Sequence, residues 1–184
     1  MNVVPTDFEG LFILEPIIHE DDRGYFMESY NQNVFHKNFP DIFFVQQNES
    51  QSNYGVLRGL HFQIPPYAQS KLVRVVKGEV LDVVVDLRLN SDTYGKFGKF
   101  ILSEKNKRQL LIPVGFAHGF LTISKSAIFS YMVDSYYSKN HESGFIWNDA
   151  AVGIDWEIPK QEVQISEKDN ALPKLKELVL PKSW

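Results

Sequence analysis

The run from Glu79 to Leu87, EVLDVVVDL, limits the possible folds more than any other stretch of the chain. Its odd positions Leu81, Val83, Val85 and Leu87 make one apolar face, and its even positions Val80, Asp82, Val84 and Asp86 make a mixed one. A side-chain period of two residues is that of a β-strand, and apolar groups on both sides mean that both faces are at least partly buried. Similar runs begin at Lys71 (KLVRVV), Lys96 (KFGKFIL), Gln109 (QLLIPVGFAHGFLTI) and Ala127 (AIFSYMV), with glycines and prolines between them. Many short strands separated by turn signals predict a mainly β protein, a sandwich or barrel of the jelly-roll kind. Helical spacing of apolar residues occurs in NQNVFHKNF from Asn31 and LPKLKELVL from Leu172, which predicts short helices decorating a β core.

With 184 residues, no internal repeat and no linker, a single domain spanning 1–184 is expected. The 14 Phe, 8 Tyr and 3 Trp exceed the needs of such a core, so some rings are expected to stack on a ligand. A formal net charge of -4 without any cluster of Lys or Arg leaves no electrostatic footprint for nucleic acid. The chain has no cysteine, which excludes disulfide scaffolds, thiolate metal sites and cysteine nucleophiles. Asp7, Glu9 and Glu15 interrupt the region where a signal peptide needs an apolar run, and no apolar run reaches membrane-spanning length. A cytoplasmic protein with no membrane partner is expected.

Four segments carry candidate chemistry. His61 sits in RGLHFQ, three residues after Arg58 and two after Gly59. It reads as a metal ligand, a catalytic base or a structural residue in a strand. The metal reading needs three or four converging donors, with a second histidine two residues on and a carboxylate soon after. The chain has Gln63 and then Lys71 at those places, and a protonated ammonium repels a cation, so a metal site is not expected. In a regular strand Arg58 and His61 face opposite sides, and both can serve one pocket only if the backbone bends, for which Gly59 is the candidate. His118 lies between Ala117 and Gly119, which suits close approach by a ligand or a plain tight turn equally well. Tyr131, Tyr137 and Glu142 fall within YMVDSYYSKNHESG, where a tyrosine is either half-buried packing or a general acid. Lys168 and Asp169 in SEKDNALP read, by composition alone, as part of a solvated loop leading to a helix. His19 and His36 have no companion signal and are assigned surface or structural duty.

In their order and spacing, DDRGYFMESYN, VQQNESQSNYGVLRGLHFQ, AQSKLVRVVKGEVLDVVVDLR, YGKF, LIPVGFAHGFL, YYSKNHESGFIWND, IDW and ISEKDNALP resemble the dTDP-4-dehydrorhamnose 3,5-epimerase family over nearly the whole chain. The resemblance implies a cupin-type jelly roll that pairs as a homodimer with its N-terminal segment exchanged between subunits. It also implies an isomerase that works without metal or organic cofactor on a dTDP-sugar, in dTDP-L-rhamnose biosynthesis. Carried over residue by residue, it assigns the catalytic base to His61, its orienting carboxylate to Asp169, the proton donor to Tyr131 and the cation beside the reacting ketone to Lys71. The substrate contacts it implies are Arg23, Phe26, Glu28, Gln46, Gln47, Asn48, Arg58, His118, Glu142 and Lys168.

The residue types suit that chemistry. Inverting a carbon next to a ketone needs a base on one side, an acid on the other and a fixed cation for the charge that develops on the enolate oxygen. Arginine and lysine meet diphosphate oxygens, and an aromatic ring meets the base. Three positions depart from the family pattern: Met132 where many members have lysine, Glu49 where histidine is common and Ala150 where proline is frequent. A changed neighbour of the acid leaves inversion of a single carbon, C3 or C5, as the alternative to inversion of both. A non-catalytic sugar-binding protein on the same fold is a further alternative, which gives no reason for base, carboxylate and acid to be present together.

Overall fold

The computed structural model describes all 184 residues. Thirteen strands run in order as β1 (Asn2–Pro5), β2 (Phe12–Glu15), β3 (Ile18–Asp21), β4 (Gly24–Met27), β5 (Gln46–Asn53), β6 (Leu57–Gln63), β7 (Lys71–Lys77), β8 (Glu79–Asp86), β9 (Phe97–Ser103), β10 (Gln109–Ile112), β11 (Phe116–Thr122), β12 (Ser126–Val133) and β13 (Glu142–Gly144). Two short α-helical turns, α1 (Gln32–Phe35) and α2 (Glu167–Asn170), and three 3₁₀ turns complete the set. A six-stranded sheet in the order β1-β2-β10-β7-β12-β5 faces a five-stranded sheet in the order β13-β6-β11-β8-β9, and β3 and β4 form a separate hairpin. All pairings within these sheets are antiparallel. The mainly β jelly-roll expectation is met.

The alternation in EVLDVVVDL maps onto two different layers. Val80 and Val84 point between the sheets, joining Val73, Val75, Phe116, Phe120 and Phe129 in the central core. Leu81, Val83 and Val85 point outward and are covered by the chain after β13, through Phe145, Trp147 and Trp156. A third cluster lies on the outer face of the six-stranded sheet, where Phe35 of α1 packs on Leu14, Leu72 and Leu111. Apolar side chains on both faces of β8 are therefore each removed from water, the main favourable contribution to folding.

Of the two readings of helical spacing, one is met by a short helix and one needs correction. Only one turn of NQNVFHKNF is helical, started by the Asn31 side chain, which accepts from the backbone N–H groups of Asn33 and Val34. LPKLKELVL forms no α-helix: residues 172–180 contain only a 3₁₀ turn, Leu175–Glu177, flanked by extended backbone. Leu175, Leu178 and Leu180 are laid along the outer face of the five-stranded sheet, so tertiary burial overrides the local period. The helical turn comes one segment earlier, in SEKDNALP, where the Ser166 hydroxyl accepts from the Asp169 N–H. Asp169 itself is buried while Glu167, Lys168 and Asn170 beside it are exposed, so the solvated reading of that stretch fails at Asp169 alone.

Candidate active site

Between the two sheets lies a cavity of about 340 Å³, walled by His61, Arg58, Lys71, His118, Tyr131, Lys168 and Asp169 among others. β6 and β11 of the five-stranded sheet supply Arg58, His61 and His118, while β7 and β12 of the six-stranded sheet supply Lys71 and Tyr131 from the opposite wall. α2 supplies Lys168 and Asp169.

One bulge makes this convergence possible. His61 pairs with His118 and Arg58 pairs with Phe120, so β6 advances three positions while β11 advances two. The extra residue reverses the parity of β6, bringing Arg58 and His61 to the same side. Gly59 carries the distortion with φ of 121°, which L side chains rarely adopt. A Cβ added there would stand 2.6 Å from Gly119 Cα and 2.8 Å from the His118 carbonyl oxygen, so the two strands approach through paired glycines. Because β13 is only 3 residues long, the edge of β6 beyond it is open at Gly59. Asp169 enters there.

His61 Nε2 lies 2.8 Å from Asp169 Oδ1, and the Gly59 N–H donates to Asp169 Oδ2 at 3.3 Å. A carboxylate only accepts, so the proton of a neutral imidazole sits on Nε2 and Nδ1 keeps the lone pair. Burial pushes the Asp169 carboxyl up, but the His61 hydrogen bond and charge, the Gly59 N–H and Lys168 together outweigh it and hold the group below its ordinary value. Burial pushes the Lys71 ammonium down to about 8, against the pull of Asp82 and Glu142. Burial likewise lowers His118, although Asp82 accepts its Nε2–H at 2.9 Å. The Tyr131 hydroxyl is pushed up by burial, opposed by Asn48 and Arg58, and so keeps its proton.

At the rim, Glu142 accepts from Lys168 Nζ at 2.7 Å and from the Tyr137 hydroxyl at 2.9 Å. Burial raises the Glu142 carboxyl, but these two bonds and the Lys168 charge prevail and lower it, while Lys168 is raised in turn. Gln63 does not turn its amide to a ligand: it donates to the carbonyls of Tyr67 and Tyr136 and accepts from the Ser138 N–H, tying two loops at the mouth. No group of three or more His, Asp or Glu is placed to hold a metal ion.

The remaining sequence-based candidates are distributed differently. Asn48 stands opposite Tyr131 and Gln46 opposite Val133, on the strand beside the cavity, and Gln46 donates to Asn48 at 2.8 Å. Gln47 is on the other face, donating to Ser130 Oγ. Arg23, Phe26 and Glu28 lie on or next to the β3–β4 hairpin, outside the cavity of their own chain; Arg23 pairs with Asp21, and Glu28 accepts from Asn31. One residue of the site was not assigned from the sequence, Asp82. For Asp82 the signal was present, an acid in a strand expected to be buried on both faces.

A model of the dTDP-4-dehydrorhamnose 3,5-epimerase family matches residues 5–177. The chain belongs to this family. Among curated members, the dTDP-4-dehydrorhamnose 3,5-epimerase of Shigella flexneri is 51% identical over 170 residues, 92% of this chain and 93% of the relative. The crystal structure of the family member from Elizabethkingia anophelis matches with a TM-score of 0.91 and 47% identity, covering 96% of this chain and 97% of that one. The dTDP-6-deoxy-D-glucose-3,5-epimerase of Legionella pneumophila, solved in complex with dTDP-4-keto-L-rhamnose, matches with a TM-score of 0.90 and 44% identity, covering 95% and 93% of the two chains. The cupin-type jelly roll is shared with these epimerases.

Proposed function

We propose that this protein inverts C3 and C5 of dTDP-4-dehydro-6-deoxy-D-glucose to give dTDP-4-dehydro-L-rhamnose, in dTDP-L-rhamnose biosynthesis. The observation that carries the reading is one cavity with a carboxylate-oriented histidine on one sheet and a buried tyrosine and lysine on the other. His61 Nδ1 takes the proton from the carbon next to the C4 ketone. The electron pair moves to the ketone oxygen, whose new charge is met by the Lys71 ammonium. Tyr131 returns a proton to the opposite face of that carbon, and both groups re-equilibrate with solvent, so no net proton is gained or lost. Repetition at the second carbon completes the change without an oxidant or reductant.

Inversion of both carbons is favoured over inversion of one by where Met132 lies. It follows Tyr131 in sequence but packs with the outer cluster around Leu14 and Phe35, away from the reacting face, so this departure from the family pattern leaves the acid's surroundings intact. Arg58, His118, Lys168 and Glu142 line or border the cavity and suit the diphosphate and sugar.

The rest of the nucleotide contact, in this proposal, comes from a second copy. The β3–β4 hairpin pairs with no other strand, and Tyr25 and Phe26 on it are 53% and 67% exposed, with Ile17 just before it 62% exposed. Such an arm is suited to exchange within a homodimer, bringing Arg23, Phe26 and Glu28 to the partner's cavity. Mixing His61→Ala and Arg23→Ala homodimers under exchange conditions should then restore activity; no recovery from the mixture would place Arg23 in its own chain's site. The reaction itself is tested by incubating substrate and enzyme in heavy water and following the sugar by NMR. Deuterium at both C3 and C5 is expected, deuterium at one carbon reduces the activity to single inversion, and binding without exchange makes the protein a sugar-binding module.

A further inference from the structure

Two carboxylates on β8 are fully buried, and they are treated very differently. Asp86 is saturated: it accepts from Arg88 Nε, NH2 and backbone N–H, from Ser91 Oγ and from Thr93 Oγ1. Asp82, four positions earlier on the same face, accepts a single bond from His118 Nε2, and its Oδ1 has no partner. Its neighbours on that face, Val80 and Val84, belong to the apolar core. A buried carboxylate with an open oxygen costs stability, and no packing need is met by an acid there.

Its surroundings supply the reason. Lys71 and His118 both line the cavity, and Asp82 is the strongest of the charges that oppose the effect of burial on each. We propose that Asp82 is a positioning residue of this site: Oδ2 fixes His118 with its proton on Nε2, and the carboxylate charge, acting through space with no direct ion pair, keeps Lys71 an ammonium beside the reacting ketone. The two histidines of the cavity are then matched, each with Nε2–H on its own carboxylate, His61 on Asp169 and His118 on Asp82. The other titratable or charged groups on the elements around Lys71 are His61 and Arg58 from β6, Tyr131 from β12, Glu142 from β13, Glu49 from β5, and Lys168 and Asp169 from α2. Of these, Asp169 is committed to His61 and Gly59, while Glu49 is exposed and Glu142 only half-buried, which leaves Asp82 as the fully buried acid with a free acceptor.

The catalytic consequence rests on the epimerase reading, so the test includes measurements that need no turnover. In enzyme carrying ¹³C-labelled lysine, Lys71 should titrate at about 8. Asp82→Asn, nearly isosteric, should move that titration down by about one pH unit or more, and the alkaline limb of kcat/KM should move with it. Coincident Lys71 titrations in the two proteins would overturn the proposal. Should the variant fail to fold, ¹⁵N spectra of wild-type His118 still decide: an unprotonated Nδ1 is required, and an Nδ1–H tautomer refutes the role. Failure of the enzyme to exchange substrate protons, with both spectra as expected, would sink the epimerase reading and leave the positioning role standing.

Discussion

Asp169→Asn changes one atom and forces a choice that the structure makes explicit. The wild-type carboxylate accepts from two donors, His61 Nε2 at 2.8 Å and the Gly59 N–H at 3.3 Å. An amide offers one oxygen and one NH2, so it can accept from only one of them. If the oxygen faces His61, the NH2 opposes the Gly59 N–H, a buried donor clash worth about 1–3 kcal/mol. If the amide turns over, Gly59 is satisfied and the NH2 faces His61 Nε2. The imidazole relieves that contact by moving its proton to Nδ1, whereas a backbone N–H has no such freedom. The variant should therefore fold and hold His61 in the tautomer that cannot act as a base through Nδ1. Loss of a correctly presented base costs roughly 10²- to 10⁴-fold in rate. Expected is a fall of that size in kcat with little change in KM, read by deuterium incorporation from heavy water, together with a ¹⁵N spectrum showing Nδ1–H at His61. A variant with wild-type kcat, or one that loses activity while His61 keeps Nε2–H, refutes the argument.

Three further outcomes follow from the same geometry. Tyr131→Phe should still exchange substrate protons through His61 but fail to accumulate the inverted sugar, because the proton returns to the face from which it left; NMR of the product separates the two effects. Lys71 is an ammonium below about 8 and neutral above it, so the stabilising charge is lost and kcat/KM falls as pH rises through that value; Lys71→Arg should retain a flat alkaline limb in whatever activity survives, since a guanidinium does not deprotonate there. Gly59→Ala places a methyl 2.6 Å from Gly119 Cα at a positive φ, and denaturant unfolding should show a loss of about 3 kcal/mol or more. A loss under about 1 kcal/mol would mean that the bulge is not as tightly constrained as the contact implies.

Much of the fold was legible because strand periodicity is local. EVLDVVVDL reports burial on both faces without reference to any partner, and the strands around it follow from their own composition and turns. Helical spacing was less reliable where apolar residues had a large surface to cover. Leu175, Leu178 and Leu180 satisfy a helical pattern yet lie extended on the five-stranded sheet, because the energy of covering that sheet exceeds the small preference for a helix. Composition alone misread Asp169 for a related reason: SEKDN is polar, and only the open edge of β6 turns one of its acids inward.

The sequence by itself determined the chemistry available. It carries no thiolate, offers a glutamine and a lysine where a metal site needs donors, and holds histidine, tyrosine, lysine and aspartate in an order that resembles one family. What the tertiary structure decided is which of them meet. Strict alternation puts Arg58 and His61 on opposite faces, and one extra residue at Gly59, set by the pairing of β6 with β11, puts both into the cavity. It also separated Gln47 from Asn48, and revealed Asp82 as an acid whose second oxygen has no partner. Residue types and periods are properties of a segment, whereas register, bulges and the closure of one sheet on another arise only when distant segments pair.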